Sequence, residues 1–141
     1  MVESVLCVAL GISSVVDIHR KEIPVVVLFI AAIWISVVLY LQGELQYGRM
    51  LGVFAIWGIF TMISLLTKGR LGVGDGMLFA LVGLAMGIQS NIAIIMLCFL
   101  FAFVLAVGMI ALRKATRQTQ MPLAPLVFVS TIVFLVLQQT A

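Results

Sequence analysis

The sequence predicts an all-α, polytopic integral membrane protein of about six transmembrane helices, forming a single membrane-embedded domain over residues 1–141. Three observations carry that prediction. The chain is 65% hydrophobic and only 9% charged, whereas a soluble domain carries about 25% charged residues. Its apolar residues fall into six runs, and a helix that crosses a bilayer takes about 20 of them. The joints between the runs are charged or punctuated by glycine, and together the six use nearly the whole length. No stretch is left over for a soluble catalytic or binding domain, so any chemistry is built from helix ends and short loops.

Taken in order, the first helix is expected over residues 2–18. Met1-Val2-Glu3-Ser4 lacks the basic start of a secretory signal, and no small-residue cleavage site follows the apolar run, so this segment is expected to stay as a mature helix. The second is expected over 23–41, with Pro24 suited to a first helical turn. The third spans 49–67, the fifth 91–113 and the sixth 122–138. The fourth, 75–88, is the shortest, and it opens from the glycine-rich string Gly72-Val73-Gly74-Asp75-Gly76. Between the fourth and fifth, Gln89-Ser90-Asn91 reads as a tight loop. Gly83 and Gly87 form a GxxxG on the fourth helix, and Gly11 with Ser14 gives the first helix a small face; both read as close helix packing.

The cations orient this frame. Arg20, Lys21, Lys68, Arg70, Arg113, Lys114 and Arg117 all fall in the first, third and fifth loops, and only Arg49 falls on the other side. Such a bias marks the odd loops as cytoplasmic and both termini as external. These cations are read as anchors to lipid phosphates, and no nucleic-acid partner is expected. The same count brings Asp17, which ends the first run, and Asp75, which opens the fourth, to the cytoplasmic ends of their helices and so to matching depth.

Those two aspartates hold most of the chemical information. An ionisable side chain within a bilayer costs about 2.5–3.5 kcal/mol on insertion scales and marks a working site by default. Two neighbouring carboxylates do not readily both ionise. The charged one takes a proton from water while the neutral one protonates the oxygen of the carbonyl under attack, which hydrolyses a peptide bond without metal, cofactor or covalent intermediate. Gly72, Gly74 and Gly76 are expected to shape the loop around Asp75 by taking backbone angles closed to other residues and letting a substrate backbone come close. A structural role competes: Asp is a good N-cap, which suits Asp75, but a carboxylate near a helix C-terminus, as at Asp17, is disfavoured by the helix dipole. Cys7 and Cys98 make no CxxC and read as buried thiols, and the lone His19 has no second histidine with which to share zinc.

Three strings resemble, in order, the motifs of the type IV prepilin peptidases. Asp17-Ile18-His19-Arg20-Lys21-Glu22-Ile23-Pro24 resembles their Asp-x5-Ile-Pro-Asn signature, Gly72-Val73-Gly74-Asp75 their GxGD, and Met121-Pro122-Leu123-Ala124-Pro125-Leu126 the Pro-x-x-Pro that opens their last helix. The resemblance implies a membrane aspartic endopeptidase with Asp17 and Asp75 as catalytic residues. Its substrate would be a prepilin or pseudopilin helix whose short basic leader is cut on the cytoplasmic side, usually just after a glycine. Pro24, Pro122 and Pro125 would set helix starts near the site. Two positions depart from the family pattern: Val25 stands where an Asn is usual and Met77 where a Lys is common. Larger members carry a cysteine-rich cytoplasmic domain and methylate the new N-terminus; without a tetracysteine pattern, this chain is expected to be a peptidase alone.

Two rivals stand beside that reading. Val25 and Met77 motivate a catalytically inactive partner that only binds pilin-like helices. A small proton or ion transporter would need polar groups along the helix interiors, and Ser13, Ser14, Ser36, Thr61, Ser64, Ser130 and Thr131 are few for that purpose. A presenilin-type peptidase also uses GxGD, but its Tyr-Asp motif is missing, since neither Tyr40 nor Tyr47 precedes an aspartate.

Overall fold

The computed structural model describes residues 1–20, 23–44, 46–67, 72–112 and 123–141. They form six α-helices: α1 (Val2–Arg20), α2 (Val25–Leu41), α3 (Tyr47–Leu66), α4 (Val73–Met86), α5 (Ile88–Ala111) and α6 (Ala124–Thr140). By length and apolar content α1, α3 and α5 can each cross a membrane, and the other three are shorter apolar helices. The chain is an all-α polytopic membrane protein.

Several expected boundaries move, each for a local reason. Pro24, which has no N–H to give, becomes the N-cap of α2 rather than its first residue, and its carbonyl accepts from the N–H groups of Val27 and Leu28. α3 starts two residues earlier than expected, because the Gln46 carbonyl accepts from the N–H groups of Arg49 and Met50 and draws Tyr47 and Gly48 into the helix. The string Val73-Gly74-Asp75 is already helical, so Asp75 stands in the first turn of α4 and not before it. The break between α4 and α5 is the single residue Gly87, whose φ of 85° is in the region that favours glycine. Gln89, Ser90 and Asn91, expected to be a loop, are the opening of α5.

α4 is the hub. It packs against α1, α2, α3, α5 and α6, and its side chains from Leu78 to Leu84 are buried. α3 and α5 turn apolar faces outward, with Leu51, Phe54, Met62, Phe103 and Ile110 among their exposed side chains. In lipid such faces are at home, and helix association rests on close packing and on interhelical hydrogen bonds. α4 and α5 use both. Asn91 is fully buried, and its Nδ2 donates to the Phe79 carbonyl at 2.9 Å. Gly83 leaves the room for it, since a Cβ there would lie 2.5 Å from that nitrogen. The GxxxG pair thus divides its work: Gly83 admits a side chain of α5, and Gly87 turns the chain. Gly83→Ala is expected to destabilise the protein by about 1–3 kcal/mol through overpacking. Asn91→Ala should relieve much of that cost when combined with it, which thermal unfolding of both single variants and the double in detergent would reveal.

α1 lies along α6 and also meets α2 and α4. Gly11 faces the Phe128 ring, which a Cβ would meet at an ordinary 3.6 Å. The small face of α1 is therefore turned mainly to α6, while α1 also makes contact with α4.

Candidate active site

Asp17 stands in the last turn of α1, where its own helix offers its carboxylate no free N–H. It is only 7% exposed. Its Oδ2 accepts the N–H of Ala124, the first residue of α6, at 3.1 Å. The helix whose N-terminus it caps is 107 residues away in sequence. An anion at a helix N-terminus is favoured by the unsatisfied N–H groups and by the dipole. Pro125 follows directly in the first turn of α6 and has no N–H, so the Ala124 amide is the donor that this end presents to Asp17. Pro122 lies outside the described residues.

Asp75 is half-buried at the third position of α4. Its Oδ2 accepts the Gly72 N–H at 3.1 Å, while its own N–H donates to the Gly72 carbonyl at 3.0 Å. This is the carboxylate half of a capping box, the half that a glycine at the N-cap can support. Both aspartates are thus held at helix N-termini, one by its own helix and one by another. α1 and α4, which carry the two aspartates, pack together.

The glycines act by being small. Gly72 has a φ of −65° that any residue adopts, and among the described glycines only Gly43 and Gly87 have positive φ. The expected need for unusual backbone angles at Gly72, Gly74 and Gly76 is not met. At Gly74 a Cβ would fall 2.9 Å from the Cβ of Ile23, and at Gly76 one would fall 2.8 Å from the Cβ of Phe60. Gly74 therefore brings the chain entering α2 down onto the start of α4, locking the Ile23-Pro24 pair to the Asp75 turn. Gly76 lets α3 approach on the other side, where the Phe60 ring lies 4.9 Å from that of Phe79.

Cys98, Ser130 and Ser13 are all buried. The amide of Ala124 and the contact between Ile23 and Gly74 went unread in the sequence, since neither is marked by a chemically distinctive side chain. Of the basic residues assigned to the odd loops, Arg20 closes α1, while Lys21, Lys68, Arg70, Arg113, Lys114 and Arg117 lie outside the described residues. Val25 is the first residue of α2, and Met77 is half-buried one turn into α4.

Comparison with known proteins agrees with these motifs. A family model described as the type IV leader peptidase family matches residues 4–112, which take in Asp17, Ile23, Pro24, Gly72 and Asp75. Similar curated proteins include one from Pseudomonas aeruginosa, 29% identical, and one from Stutzerimonas stutzeri, 26% identical, each named a prepilin leader peptidase/N-methyltransferase. Each match covers 79% of this chain and 41% of the relative, so the chain spans about two fifths of the length of these proteins. No solved structure matches the chain. With the family model covering most of its length, the chain belongs to the type IV leader peptidase family.

Proposed function

We propose that this protein is a membrane aspartic endopeptidase that removes the short basic leader of prepilin-like or pseudopilin-like substrates at the cytoplasmic face, with Asp17 and Asp75 as its catalytic pair. The observation that supports the reading is that α1 and α4, which carry Asp17 and Asp75 and lie far apart in sequence, pack together within the stretch matched by the family model. The ionised member takes a proton from water, and the water oxygen bonds to the scissile carbonyl carbon. The protonated member donates to the carbonyl oxygen, giving a neutral diol. As the diol collapses, the carbon–nitrogen bond breaks, the first carboxyl gives its proton to the leaving amine, and the second carboxylate takes a proton back from a diol hydroxyl. The proposal covers the peptidase alone. It puts both termini outside, because the cations of the odd loops orient the frame.

The test is cleavage in detergent micelles of a peptide carrying a basic leader, a glycine and an apolar helix. A single cut after the glycine is expected, and failure to cut across a series of leaders would overturn the reading. The rate should fall at both ends of the pH range. On the acid side the base becomes protonated, and on the alkaline side the shared proton is lost. The two apparent pKa values would belong to the pair rather than to either residue.

A further inference from the structure

α2 and α3 are neighbours in sequence, joined by residues 42–46, yet they do not pack on each other. Among the described residues no Cα of α2 comes within 8 Å of a Cα of α3, and both helices lean on α4 instead. The gap is a groove of about 350 Å³. Its floor is one face of α4, formed by Met77, Ala80 and Leu84. Ala32 and Ser36 form one wall and Trp57 part of the other. Phe29 and Phe54 line the groove from opposite helices, 56% and 64% exposed.

We propose that this groove seats the transmembrane helix of the substrate, the apolar segment that follows the scissile bond. The inference rests on the peptidase reading and names where that substrate is held. Three features select this occupant. The groove is continuous with the site: Met77 is two residues beyond Asp75 on the same helix, and Trp57 both lines the groove and closes on Gly76. The floor then runs away from Asp75 along α4, so a helix lying parallel to α4 would start at the aspartates. The residues that narrow it, Ala32 and Ser36 one turn apart on α2 and Ala80 on α4, are small, which is what close approach of another helix backbone requires. Met77 fits the same role. An uncharged side chain there keeps the floor apolar up to the turn that carries Asp75, where a lysine would set a charge under the incoming helix.

The experiment places a photoreactive amino acid at Ser36, or at the outward-facing Ile33 as a control, and adds a peptide with a leader, a glycine and an apolar helix. A cross-link to the apolar helix from position 36 and not from 33 is expected. Labelling of lipid or detergent alone from position 36, or equal labelling from both positions, would overturn the proposal. In the wild-type background, Ala32→Phe should raise KM for the helix-bearing substrate about tenfold, and by less for a peptide cut short after the glycine. An equal rise for both substrates would also overturn it. Because the cross-link is read without cleavage, a chain that captures the helix at position 36 but never cuts would keep the groove and sink the peptidase reading.

Discussion

Asp17→Asn and Asp75→Asn are each expected to lower kcat for cleavage in micelles by about 10²–10⁴-fold, the range for loss of a positioned acid or base. The double variant is expected to fall no further than the worse single one, because residues acting as a unit do not contribute additively. Asn at either position keeps an oxygen that can accept a backbone N–H, so the links to Ala124 and Gly72 survive. The asparagine variants should therefore be inactive and folded. Asp17→Ala should be inactive and also less stable, by about 0.5–2 kcal/mol for a lost helix cap. Thermal unfolding of the set separates the charge of Asp17 from its structural work. Retained cleavage by either asparagine variant would overturn this pair and put the catalysis on other residues.

The second large effect is expected at Gly76. Valine there would drive a Cβ to 2.8 Å from the Cβ of Phe60, a buried residue of α3 whose ring packs on that of Phe79. Neither partner is a flexible side-chain end, so α3 has to move. Overpacking of this kind costs about 1–3 kcal/mol, and it falls one residue from Asp75. Gly76→Val should lose both thermal stability and cleavage, whereas Gly58→Val, at a position where nothing lies within 4 Å of an added Cβ, should keep both.

The helices were legible because lipid imposes a plain requirement: long apolar runs broken by charge. The ends were less so. Gln89-Ser90-Asn91 looked like a turn exposed to water, but Asn91 is polar because it binds the Phe79 carbonyl inside the bundle. Asp17 looked ill-suited to capping because only its own helix is visible in sequence. The N-terminus it serves belongs to α6, and no local pattern announces a cap across 107 residues. The glycines around Asp75 were legible as important but not in their manner of working. Backbone freedom can be read from a glycine alone, whereas close approach needs Ile23 and Phe60 to be placed first. The packing of α1 against α4 was legible for a different reason, since small residues on both helices announced a close approach.

The hairpin of α4 and α5 has one more consequence. Both helices meet at Gly87, but α4 has 14 residues and α5 has 24. Asp75 lies twelve residues from that hinge, about 18 Å along the axis. An equal climb along α5 reaches Phe99, and α5 goes on for another dozen residues to Ala111, about 18 Å higher. On that flank α5 rises past Asp75. A chain coming over the rim would need twelve residues to descend as a helix, but only about five or six fully extended. On that side an extended segment is therefore expected to reach Asp75 with about half the residues that a helical one would need.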